Sequence, residues 1–229
     1  MIIMDKKVIF AFVFMLLCRL TAWADIVPTA YYTIDGEEQE TTDYITDAEA
    51  PLSVRFQANP SDMGEAVPSF EWRFFKEGQT APFLVRYEEN TNYEFRESGT
   101  TTVSLYVSYG ADEEPGLVGS IRVTISTSLL EVPNAFSPNG DGINDVFRVK
   151  SNHKSIVEFH AYIYNRWGQQ LYDWTSLDGG WDGTYHGSPV KAGVYFVLVK
   201  AKGADGRTYH IRRDVNILRD YIESTSPTQ

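Results

Sequence analysis

The chain has 229 residues, 43% hydrophobic and 22% charged, with a net charge of -11 and a single cysteine. So acidic a chain repels phosphate backbones, which argues against a nucleic-acid partner, although acidity also serves simply as a solubility device. Cys18 is the one thiol, so disulfide scaffolds and cysteine-bound zinc are excluded, and packing must supply the stability.

Lys6 and Lys7 precede an apolar run at residues 8–17, and Ala22-Trp23-Ala24 closes the segment. This is the pattern of a secretory signal peptide over residues 1–24, with cleavage expected before Asp25. The run falls short of the roughly 20 apolar residues that a spanning helix needs. A lipoprotein reading would place the modification at Cys18, but Leu16 and Leu17 stand where small residues are wanted. No second long apolar segment follows, so the mature chain is expected to lack a transmembrane segment. Loss of residues 1–24 would leave 205 residues, enough for two domains with cores of their own.

Residues 25–131 hold six Lys or Arg against 20 Asp or Glu, whereas residues 132–219 hold 11 against eight. The composition break near residue 131 marks a boundary between an acidic domain at 25–130 and a second domain at 131–219, with a polar tail at 220–229. Neither half shows amphipathic-helix spacing, and short runs of Val, Ile, Thr, Tyr and Phe recur between turn residues. The fold class is therefore all-β. In the first half strands are expected at 29–34, 52–58, 69–75, 83–87, 91–95, 101–109 and 118–126, about seven in all, which suggests an immunoglobulin-like sandwich. Trp72 is placed as its core tryptophan, with Val103, Leu105 and Val107 alternating onto one face. SVRFQA, FEWRF and FRESGTTTVSLYV resemble a polycystic-kidney-disease-type repeat, and other immunoglobulin-like families fit the same pattern.

In the second half strands are expected at 146–150, 156–164, 170–174, 194–201 and 208–218. Turns fall at Arg166-Trp167-Gly168, Asp182-Gly183 and Asp205-Gly206, where glycine tolerates positive φ. Four motifs occur in order: VPNAFSPNGDGINDVF from Val132, YNRWGQQLYDW from Tyr164, GWDGTYHG from Gly180 and KAGVYFVLV from Lys191. Together they resemble the gliding motility-associated C-terminal domain, a sorting module of type IX secretion. The residues carrying the resemblance are Pro133, Asn134, Phe136 and Pro138, then Asn139, Gly140, Asp141, Gly142, Asn144, Asp145 and Phe147. Downstream they are Asn165, Arg166, Trp167 and Gly168, then Trp181, Asp182 and Gly183, and finally Gly193 and Tyr195. Arg212-Arg213-Asp214 stands where the family pattern has a glycine.

The resemblance implies a second immunoglobulin-like β-sandwich, export to the cell surface or medium, and recognition by the type IX secretion machinery. It also implies an outer-membrane partner of the PorP/SprF type. The acidic domain would then be a small adhesive or structural cargo. The alternatives are a periplasmic scaffold component of a surface or motility complex, and a carbohydrate-binding protein. Recognition by strand addition to a sheet edge is expected at residues 193–200 or 216–219.

Two further groups of residues suggest chemistry. Asn139, Asp141, Asn144 and Asp145 crowd side-chain oxygens into one glycine-punctuated loop, a candidate calcium site, although calcium takes six to eight oxygens. The competing reading, which the residue types favour, is a tight loop tied to its own backbone. Trp167, Tyr172, Trp174, Trp181 and Tyr185 could stack on sugar rings, or could be core and cross-strand aromatics. The four histidines, His153, His160, His186 and His210, are scattered. HExxH, Gly-x-Ser-x-Gly and phosphate-loop patterns are missing. The expectation is a protein without enzymatic activity or a required cofactor.

Overall fold

The computed structural model describes residues 25–61, 63, 67–110 and 112–219. The expected signal peptide, Cys18 and the polar tail lie outside the described residues.

The protein is all-β, with two hydrophobic cores. The first unit contains β1 (Asp25–Ile26), β2 (Thr29–Ile34), β3 (Glu37–Thr41), β4 (Tyr44–Ala48), β5 (Leu52–Gln57) and β6 (Pro60–Ser61). It continues with β7 (Ser69–Lys76), β8 (Leu84–Arg86), β9 (Asn90–Phe95), β10 (Gly99–Ser108) and β11 (Gly116–Ile125). One sheet runs β4-β11-β10-β7-β8 and the other β3-β2-β5-β9. The two meet through their aromatic residues. Phe56 of β5 lies 5.8 Å from both Trp72 and Phe74 of β7, edge-on to the latter. Trp72 is fully buried and its indole N–H donates to the Glu89 carbonyl at 3.2 Å, so the core position expected for it holds. Val103, Leu105 and Val107 of β10 all point into the same core.

Strands β3 and β4 were not expected: EEQET is poor in the β-branched and aromatic residues that favour pleated surfaces, and YITDA is a short run of five residues between acidic turns. Turn chemistry makes β3. Asp35 and Gly36, with φ of 52° and 83°, form a two-residue connection that returns Glu37 opposite Ile34, the geometry of a tight hairpin. Its exposed glutamates then protect a sheet edge from pairing. Strand β4 forms by lying parallel to β11 and burying Ile45 and Ala48.

The second unit contains β12 (Ala135–Phe136), β13 (Ile156–Tyr164), β14 (Gln170–Trp174), β15 (Thr184–Tyr185), β16 (Ser188–Pro189), β17 (Gly193–Gly203) and β18 (Thr208–Ile217). Its main sheet runs β12-β18-β17-β13-β14. The opposing layer is built from short pieces: the β15–β16 hairpin and irregular segments carrying Phe147, Val149 and Trp181. Residues 146–150, expected as a strand, form only one antiparallel bridge between Phe147 and Trp181. Gly180 explains the close crossing, since a Cβ there would sit 2.6 Å from the Phe147 carbonyl oxygen. The turn glycines Gly168, Gly183 and Gly206 all have positive φ, as expected.

The two units pack end to end. The backbone N–H of Ser98 donates to the carbonyl of Ala204, which joins the first core, and the Arg96 guanidinium donates to the Val157 carbonyl. Ser155 is buried at φ 46°. Its hydroxyl accepts the Ala50 N–H at 3.2 Å and pairs with the Ser126 hydroxyl at 2.9 Å.

Candidate functional site

Tyr164, Gly193 and Ile217 stand at the end of the main sheet opposite Ile156, Gly203 and Thr208, the end that meets the first unit. The four sequence motifs converge at this far end. Phe136 contacts Phe147 and Trp181 at ring separations of 5.7 and 5.5 Å, and Trp181 contacts Tyr195 at 5.3 Å. Trp181 is fully buried, and its indole donates to the Thr184 carbonyl at 2.7 Å. Asp182 caps that turn by accepting the Thr184 N–H. The Tyr195 hydroxyl donates to the Lys191 carbonyl, and burial raises its pKa. Asn134, following Pro133, accepts the Asn216 N–H and so docks the first motif on β18. These residues are architecture rather than a reactive constellation.

Arg219, which sequence reasoning passed over, ties the motifs together. Its guanidinium donates to the carbonyls of Pro138, Gly183 and Val190 at 2.9, 2.9 and 3.2 Å. Nothing in its sequence surroundings signals the role, because all three acceptors are backbone atoms.

The Asn139–Asp145 loop turns its carboxylates inward. One Asp145 oxygen accepts the N–H groups of Asn139 and Gly140 at 2.9 and 2.7 Å, and the other that of Gly142 at 2.8 Å. Asp141 accepts the Ile143 N–H at 2.8 Å, and Asn139 accepts that of Asp141 at 3.1 Å. The amides of Gly140, Gly142 and Asn139 hold the Asp145 pKa below its ordinary value. Gly140, Gly142 and Asn144 adopt positive φ to make this possible. Three backbone N–H groups thus take up the Asp145 carboxylate, which favours a loop tied to its own backbone over a calcium site. Among the described residues no group of three or more His, Cys, Asp or Glu is arranged to hold a metal ion.

The five aromatics considered for sugar binding do not form one platform. Trp174 and Trp181 are buried in the core, and Tyr172 leans on Trp174 at 5.9 Å. Tyr185 accepts a hydrogen bond from Gln169. Trp167 alone stands out, 76% exposed, with the Arg166 guanidinium 4.4 Å over its ring. Asn165 makes the turn beneath it by accepting the N–H groups of Trp167 and Gln169, both at 3.0 Å.

Residues 130–211 match the family model of the CHU_C Type IX secretion signal domain. A domain of this kind implies export and contact with the type IX secretion machinery. The match covers the second unit as far as the first part of β18 and leaves the first unit unassigned. Among solved structures the chain is similar to dimeric latent PorU from Porphyromonas gingivalis, at 12% identity and a TM-score of 0.27. That alignment covers 86% of this chain and 20% of the PorU chain, so the chain spans about a fifth of that protein's length. No curated protein matches.

Within the second unit, most of the residues expected to accept an added strand are already paired. Residues 196–200 of β17 are paired on both sides by β13 and β18, whereas residues 193–195 pair with β18 alone among the described residues. Asn216 and Ile217 already pair with β12. The outer strand at the opposite side is β14, which pairs with β13 alone among the described residues. Among the described residues no helix is long and apolar enough to cross a membrane.

Proposed function

We propose that this is a non-enzymatic exported protein in which the type IX signal domain carries a small adhesive or structural β-sandwich to the cell surface. The observation that carries the reading is the family match over residues 130–211. The supporting geometry is the convergence of all four motifs, with Arg219, at the end of the signal domain away from the first unit. Hydrogen bonds through Ser155 join the first unit to the end of the second unit opposite the motif residues. The partners are the secretion machinery and, following the gliding-motility resemblance, an outer-membrane protein of the PorP/SprF type.

Protease shaving of intact cells tests this reading by following the first unit in three strains: wild type, a type IX secretion null and a truncation after Glu131. Exposure is expected in wild type only. Protection of the first unit in wild-type cells would refute surface placement and favour a periplasmic scaffold.

A further inference from the structure

The outward face of the main sheet carries a groove of about 480 Å³ at its motif end. Tyr164, Phe196 and Leu198 form its apolar floor, being register neighbours on β13 and β17, while Val197 and Val199 turn inward to the core. Phe196 is 42% exposed and Val194 beside it 50%, a costly display for an uncovered sheet face. Arg166 and Arg212 line the groove, and Trp167, next to Arg166 in the chain, lies beneath the Arg166 guanidinium. Trp, Tyr and Arg around a partly desolvated apolar centre is the composition that concentrates binding energy in protein interfaces.

The charge of the groove indicates what it binds. Arg213 spends its guanidinium on the Val132 carbonyl, and Asp214 is the one carboxylate among the lining residues. Among the described residues neither Arg166 nor Arg212 has an ion-pair partner. A guanidinium presents a fork of donors matched to a carboxylate.

We propose that this groove is where the signal domain docks on a carboxylate-bearing protein surface of the secretion machinery, with Phe196 and Trp167 as apolar anchors and Arg166 and Arg212 as carboxylate forks. The proposal rests on the sorting function above. The test uses the full chain in a host with an active type IX system, with surface exposure measured for Trp167→Ala, R166E/R212E and R166Q/R212Q. Melting temperatures of the purified variants are measured alongside.

The expected result is a tenfold or greater loss of surface exposure for the charge reversal, a smaller loss for the two neutral or truncated variants, and unchanged melting. R166Q/R212Q adds no carboxylate beside Asp214, so it carries the test if charge reversal lowers the melting temperature. Wild-type export of every variant, alongside failure of the truncation after Glu131, would overturn the groove and leave the sorting reading standing. Export of that truncation would overturn both. Self-association of the purified chain, lost in the same variants, would assign the groove to the acidic first unit of a second copy and overturn docking on the machinery.

Discussion

At the scale of single residues, the motif positions divide into side chains that build the fold and side chains that face outward. Trp181 and Trp167 both belong to motifs, yet one is fully buried and the other 76% exposed. Trp181→Ala is expected to cost about 3–5 kcal/mol through the cavity it leaves, whereas Trp167→Ala should change stability by less than about 0.5 kcal/mol. Chemical denaturation of the two variants checks the contrast. Asp145 gives a pH prediction. Its folded pKa lies below the ordinary 3.8 because backbone amides bind the carboxylate. Its contribution is therefore present above the unfolded pKa and lost as pH falls through the lower folded value. The NMR shifts of the Gly140 and Gly142 amides should titrate with a midpoint below the ordinary Asp value. A midpoint at or above that value would contradict the hydrogen-bonded loop.

At the scale of elements, long strands with alternating apolar residues were legible in the sequence, among them β10, β13 and β17. The alternation reports which face is buried, and the buried face decides the strand. Elements held by pairing or turn geometry were not legible. The acidic β3 exists because Asp35-Gly36 reverses the chain, and β12 because two residues lie beside β18. The opposite error came from residues 146–150, whose apolar spacing reflects packing under Trp181 rather than ladder pairing. That crossing is tested by Gly180→Ala, whose added Cβ would meet Phe147 backbone at 2.6 Å. Overpacking should cost about 1–3 kcal/mol, read as a lower urea midpoint. A neutral result would mean that the crossing is looser than described.

At the scale of the whole molecule, the charge step near residue 131 was visible in composition, but the packing between units was not, because it rests on small residues and backbone groups. Ser155 has no sequence signature, yet it holds Ala50 and Ser126 across the junction. Ser155→Ala leaves the Ala50 N–H without that acceptor and should cost about 1–3 kcal/mol, with the two units melting less cooperatively in calorimetry. The motif residues were legible as a family pattern, but the groove formed by Tyr164, Phe196 and Arg212 was not. Its members come from three strands and meet only through the register of the sheet.

The central claim is that the second unit is itself a sorting signal, and the most direct measurement is transfer. Residues 126–229 would be fused behind a passenger that carries a signal peptide and otherwise stays in the periplasm, and protease accessibility of the passenger on intact cells would be measured. The expected result is surface exposure in a secretion-competent host and protection in a type IX null. A passenger that stays protected in the competent host, with the appended domain intact and folded, would contradict the claim.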